Sequence, residues 1–324
     1  MEAKFQNRFF TCVRDAQVDA QIRMVLPEVA EAVVALGLPG FRGLVLGGGY
    51  GRGEGGATAD HALYNDLDFF VFLEGPESGF PLIAQRLAPL SATFGARLGI
   101  DVDFTLRSAY RVHLDERRLM VQELLRGHVP LAPEGFDLAA WSGAHEYPAD
   151  EVPAGEAARL LMNRGMGLLL ARTADPSSDF AMRNLNKAVL GAGDVRLVAR
   201  RQYAWTLAAR EVAVNDAVYS KACAFKRRPS REPSAVASWD EAYAFWLQAY
   251  EELFARRGGE LRARSLYQAA RWVVRRHTLG AVWTLGQDCT VRVLDRLCGV
   301  LRSVTTSPKV RGIEVLEKDW KVFN

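Results

Sequence analysis

Between residues 14 and 37 the chain reads RDAQVDAQIRMVLPEVAEAVVALG, with apolar side chains returning every three or four positions. That spacing predicts an amphipathic helix, stopped by Gly37 and Pro39. The apolar runs then shorten. GLVLGG leads into the glycine-dense turn LGGGYGRGEGG, and DLDFFVFL, from Asp66 to Leu73, is closed by EGPESG. Both runs have strand length and turn-forming ends. PLIAQRLAPLSATF returns to helical spacing, ARLGIDVDFTL predicts a strand, RRLMVQELLRG a helix, and HVPLAP a short extended segment. The order helix, strand, strand, helix, strand, helix predicts a mixed sheet with helices on one side.

Pro- and Gly-containing segments between Leu131 and Pro153 mark a boundary, so the expected domains are residues 1–140 and 150–324. Beyond it GEAARLLMNRGMGLLLART, AMRNLNKAVLGAGDVRLVARRQYAWTLAAREVAV, WDEAYAFWLQAYEELFARR and SLYQAARWVVRRHTLG all carry helical periodicity. KRRPSREPSAVAS reads as a solvated loop, and the tail from Ser307 is expected to dock through Trp320 and Phe323. The fold class is therefore α+β in the first domain, followed by an all-α domain. The stripe Trp239, Tyr243, Phe245, Trp246 and Tyr250 reads as helix core.

Composition narrows the class. Apolar residues make up 49% and charged residues 24%, the balance of a globular chain with a substantial core. Cys12, Cys223, Cys289 and Cys298 have neither metal-like nor paired spacing and read as reduced thiols, with a cytoplasmic location expected. No apolar run reaches membrane-spanning length, since Asn163 and Arg164 interrupt LLMNRGMGLLLA. These two polar residues either line a cleft or cap an interhelical hydrogen-bond network. Net charge is +3, yet residues 1–150 hold 13 Lys+Arg against 20 Asp+Glu, and residues 151–324 hold 28 against 18. An acidic half and a basic half suit either the binding of a polyanion or domain-to-domain attraction. A nucleic-acid partner is not favoured, because no basic–aromatic ladder is present.

The candidate chemistry lies in the acids. Asp66 and Asp68 stand at i, i+2 on a strand, which points both carboxylates to one face. Asp101 and Asp103 repeat the arrangement on the next predicted strand. Clustered carboxylates repel one another unless a cation or shared proton compensates, and hard divalent cations require oxygen ligands. Glycines in the preceding turn leave backbone N–H groups open to phosphate oxygens. The five histidines, His61, His113, His128, His145 and His277, show no metal spacing.

Glycine turn, Asp-x-Asp on a strand, then a third acid on a later strand: this order resembles the polymerase-beta-type nucleotidyltransferase superfamily. Within it GGYGRGE, Gly48 to Glu54, is similar to the turn of minimal and aminoglycoside nucleotidyltransferases, which typically reads GSxxRGE. The resemblance covers roughly residues 40–110 and implies an N-terminal nucleotidyltransferase fold. It assigns Gly48 and Gly49 to the phosphates, Arg52 and Glu54 to the end of the turn, and Asp66 and Asp68 to metal. The third ligand would be Asp103 or Asp101, serving also as general base. Two Mg²⁺ ions, a nucleoside triphosphate (ATP is the expected donor) and a hydroxyl acceptor, small molecule or protein, are implied. Two departures stand out: Gly49 occupies the usual serine position, and TADHALYN lengthens the approach to Asp66.

GRGEGG also matches GxGxxG, but no helix-length segment follows it, which argues against dinucleotide binding. In the helical half Lys187 is the candidate contact for the triphosphate. Tyr203 has a spacing that suits an acceptor pocket, and Asp194 suits either that pocket or a helix N-cap. The expected activity is Mg²⁺-dependent transfer of a nucleoside monophosphate to a hydroxyl. The alternatives are a non-catalytic nucleotide-binding module and an RNA-directed nucleotide-adding enzyme.

Overall fold

The Asp15 side chain accepts from the Val18 amide and so opens α1 (Ala16–Ala35), whose buried face carries Val18, Ile22, Val25, Leu26, Val29 and Val33. This helix begins a computed structural model that describes residue 5, residues 7–262 and residues 289–304. The helix expected from SLYQAARWVVRRHTLG, with His277, and the tail bearing Trp320 and Phe323 lie outside these residues.

The chain divides into two compact units, residues 1–147 with 226–230, and residues 148–225 with 231–324. Residues 226–230, expected as part of a solvated loop, are thus packed into the first unit. The Ala57 amide donates to the Arg227 carbonyl, and Pro229 is buried.

In the first unit β1 (Phe41–Leu46), β2 (Leu67–Leu73), β3 (Val102–Ser108) and β4 (Val129–Ala132) form one mixed sheet in the order β3-β2-β1-β4. β1 is antiparallel to both β2 and β4, while β2 and β3 run parallel. A four-residue helical turn, α2 (Gly48–Gly51), follows β1. α3 (Phe80–Leu98) links β2 to β3 and takes Ala96, Arg97 and Leu98, which were expected in the strand. Gly99 ends the helix in the left-handed region at φ 69°, so β3 starts only at Val102.

Helices cover both faces of the sheet, a correction to the one-sided arrangement. Leu67, Phe69, Val71 and Leu73 share a core with α1 and α3. Phe70 and Phe72 point the other way, against Val112 of α4 (Ala109–Leu114), Leu124 of α5 (Leu119–Arg126) and Leu138 of α6 (Leu138–Ser142). The unbroken apolar run FFVFL is the cause, since both alternating sets of its side chains need cover.

The second unit is helical: α7 (Ala154–Thr173), α8 (Asp179–Ala199), α9 (Leu207–Val214), α10 (Ala217–Arg227, whose last two residues fall in the first unit), α11 (Trp239–Arg262) and α12 (Cys289–Val304). Trp239, Phe245 and Trp246 are buried as expected of a core stripe, and the Trp246 indole N–H donates to the Leu161 carbonyl at 2.9 Å. Asn163 and Arg164 are half-buried on α7, where the Arg164 stem packs over Gly191 of α8. Asp194 is not an N-cap. Ser178 caps α8 by accepting from the Ala181 amide, and Asp194 lies well inside that helix. There it accepts from the Tyr219 hydroxyl at 3.0 Å and pairs with Arg210 at 3.2 Å. Arg210 in turn donates to the Tyr203 hydroxyl at 3.0 Å, so Asp194 and Tyr203 serve one polar network inside the helical unit.

Candidate active site

Where β1 ends, the chain bends sharply enough for the Gly47 amide to donate to the Asp68 carbonyl at 2.8 Å, bringing the glycine turn to the start of β2. Gly48 has φ +60°, and a Cβ there would overlap the Asp68 carboxylate. Only glycine meets both demands. Gly49 differs: a Cβ would find its nearest neighbour, the Glu54 carbonyl oxygen, at 3.5 Å, an ordinary contact. The position where the resemblance has serine therefore has room for one.

Arg52 and Glu54 brace the turn from behind. Arg52 pairs with Glu54 at 3.4 Å and with Glu123 of α5 at 3.0 Å, and Lys226 approaches Glu54 at 3.7 Å. Buried carboxylates need such partners.

Asp68 stands directly beside Asp103 in the parallel ladder, which begins at Leu67 and Val102, so that Asp66 and Asp101 come just before it. The Leu67 amide donates to the Asp101 carbonyl at 3.0 Å. Alternation along β2 puts Asp68 on the face of Phe70 and Phe72, and Asp103 falls on the same side of β3 because Val102 and Phe104 join the opposite core. The parallel register thus places Asp103 on the strand next to Asp68, and the Asp68 carboxylate lies against Gly48. Burial raises the Asp103 carboxyl above its ordinary value, with the charges of Asp66 and Asp101 adding to the effect. Of the two later acids, Asp103 is the one in register with Asp68, whereas Asp101 precedes the strand.

Among the described residues no group of three His, Cys, Asp or Glu side chains is gathered closely enough to hold a metal ion by itself. Mg²⁺ does not need such a cage, because it is commonly held by one or two carboxylates with substrate phosphates and water completing the octahedron. The donor set here, carboxylate oxygens repelling one another beside an open backbone turn, fits that use.

The lengthened approach to Asp66 is tied down along its length. Tyr50 donates from its hydroxyl to the Gly56 carbonyl at 2.8 Å and accepts from the Tyr64 amide at 3.1 Å. The Gly56 amide donates to Asn65 Oδ1 at 2.9 Å. His61, with φ +59°, donates through Nδ1 to the buried Asp15 carboxylate at 2.9 Å, and Arg228 donates to the same carboxylate at 3.1 Å and to the Thr58 carbonyl at 3.0 Å. An ionised carboxylate only accepts, so the His61 proton sits on Nδ1. The sequence reading passed over this pairing, because nothing in the spacing joins His61 to a partner 46 positions away. An aspartate just before the first helical turn was the available clue for Asp15.

Burial alone would raise the Asp15 carboxyl, but hydrogen bonds from His61, the Val18 amide and Arg228 outweigh it and hold the group below its ordinary value. A depressed carboxylate stabilises the fold above its unfolded value, about 3.9, and that contribution fades as pH falls through the folded value. Asp15→Ala is expected to cost about 3 kcal/mol, combining a lost helix cap with lost charge-assisted hydrogen bonds. His61→Ala should move acid unfolding to higher pH. Urea titrations of both variants between neutral pH and pH ~3 check this, and superimposable acid limbs for His61→Ala and the parent would refute it.

Lys187 lies half-buried on α8 of the helical unit. Cys12, Cys223 and Cys298 are free thiols. No described helix is long and apolar enough to cross a membrane. In comparisons with known proteins, no family model matches the chain and no curated protein matches its sequence.

Proposed function

We propose that the first unit is a Mg²⁺-dependent nucleotidyltransferase that moves a nucleoside monophosphate from a triphosphate, ATP being the expected donor, to a hydroxyl acceptor. The observation that carries it is the parallel register of Asp68 and Asp103 beside Gly48, whose lack of a side chain leaves space for the Asp68 carboxylate. Bound there, Mg²⁺ would neutralise the triphosphate and activate the acceptor hydroxyl for in-line displacement of pyrophosphate. Asp66 and Asp68 would hold it, with Asp103 as the third acid.

Each side chain has a task that its surroundings support. Asp68 fixes a negative charge against the turn. Asp103, whose carboxyl is raised by burial and by the charges of Asp66 and Asp101, would accept the proton of an attacking hydroxyl as general base. Gly48 and Gly49 would offer their backbone N–H groups to phosphate oxygens, while Arg52 and Glu54 brace the turn through Glu123 and Lys226.

The test is release of pyrophosphate, together with transfer of α-phosphate label from ATP, across panels of small hydroxylated compounds, proteins and RNA. Metal-dependent label transfer supports the proposal and names the acceptor class. One second reading is a module that binds nucleotide without transferring it. Tight Mg²⁺-dependent ATP binding with no pyrophosphate across all panels would decide for that module.

A further inference from the structure

The helical unit contains a cavity of about 440 Å³ that nucleotidyl transfer does not explain. Leu185, Ala181, Val236, Ala237, Pro233 and Trp239 supply most of its apolar wall. Its volume is within the range of small-molecule sites. Three charged side chains line it as well: Arg172, Lys221 and Glu241.

The three charges are not equivalent. Glu241 is engaged by its own helix terminus. Its carboxylate accepts from the Ser238 amide at 2.8 Å and from the Ser238 hydroxyl at 2.9 Å, while the Ser238 hydroxyl accepts from the Glu241 amide at 3.2 Å. This reciprocal capping box uses both groups to start α11. Arg172 lies over the Trp239 ring, with its guanidinium 4.7 Å from the centroid. The other interactions of Trp239 are internal, a stack on Tyr243 at 5.2 Å and an indole N–H bond to the Leu168 carbonyl at 2.9 Å. Among the described residues neither Arg172 nor Lys221 has a carboxylate within ion-pair distance. Arg172 and Lys221 therefore border a largely apolar hollow without a close ion pair among the described residues, although the Lys221 charge helps to hold the Glu241 carboxyl below its ordinary value.

We propose that this cavity binds a small amphipathic carboxylate, an aliphatic or aromatic monoacid, with its anionic head between Arg172 and Lys221 and its body against Leu185, Val236 and Trp239. Apolar burial supplies most of the affinity, and the two cations select the sign of the head group. The ligand differs in class from a nucleotide, and the proposal stands independently of nucleotidyl transfer.

Calorimetric titration of the full chain with octanoate and, separately, with octylamine tests it, because the probes share a chain and differ in charge. Octanoate should bind and octylamine should bind at least about tenfold more weakly. Lys221→Glu should weaken octanoate by about tenfold with an unchanged melting temperature. Leu185→Trp, which fills the hollow, should abolish binding, and thermal unfolding reports whether that variant is folded. If Leu185→Trp does not fold, Lys221→Glu and the probe pair decide alone. No heat with octanoate, equal binding of both probes, or parental octanoate affinity in Lys221→Glu would overturn the assignment.

Discussion

Asp68→Asn is expected to lower the rate of nucleotidyl transfer at least about 10³-fold, or about 4 kcal/mol of activation free energy, without lowering thermal stability. Asparagine keeps the shape of the side chain, so its packing beside Gly48 and its place in the β2 ladder survive. It loses the negative charge that would hold a cation, and a neutral amide is a poor substitute for a carboxylate ligand. Measured without divalent metal, the melting temperature should therefore stay level. Turnover and melting curves on the same preparation check both halves. Loss of activity with loss of fold would make Asp68 a structural residue instead.

Gly48→Ala should be nearly as damaging to turnover, and for a different reason. At φ +60° an alanine carries a backbone cost of about 1–2 kcal/mol, and its Cβ would occupy the space of the Asp68 carboxylate. Either the turn or the aspartate must move. A displacement near 1 Å at a catalytic group costs about 10²-fold in rate, so a fall of at least that size is expected together with a modest loss of stability. Gly49→Ser is the control, because the nearest atom to a Cβ there is the Glu54 carbonyl oxygen at 3.5 Å. It should change stability by less than about 0.5 kcal/mol and leave transfer intact. Equal damage from the two substitutions would mean that the turn tolerates no side chain anywhere and that the Asp68 contact is incidental.

Much of the fold was legible because its signals are local. The apolar spacing of residues 16–35, the FFVFL run of β2 and the Val102 to Leu106 stretch of β3 each announce their element over a few turns or one strand length. Where the pattern misled, longer-range packing decided. Ala96 to Leu98 joined α3 because the break comes at Gly99. The second layer of helices went unseen because α4 and α6 have only six and five residues, too short to show a period. In the helical unit, AMRNLNKAVLGAGDVRLVARRQYAWTLAAREVAV looked continuous, yet α8 stops at Ala199 and α9 starts at Leu207.

The candidate site divides the same way. Asp66, Asp68, Asp101 and Asp103 were visible as an alternation, whereas the pairing of Asp68 with Asp103 is a property of the sheet. His61 and Arg228 could not be joined to Asp15 from the chain alone, because they come from a loop and a returning segment far apart in sequence. Arg52 and Glu54 were readable as the end of a motif. Their ion pairs with Glu123 and Lys226 were not.

The most direct trial is a Mn²⁺ titration followed by electron paramagnetic resonance, with a non-hydrolysable ATP analogue present, on the parent chain and on Asp68→Asn and Asp103→Asn. Neighbouring carboxylates of β2 and β3 that share a cation predict nucleotide-dependent Mn²⁺ binding by the parent, weakened at least about tenfold in each variant. Parental Mn²⁺ affinity in both variants, or no nucleotide-dependent binding by the parent, would contradict it.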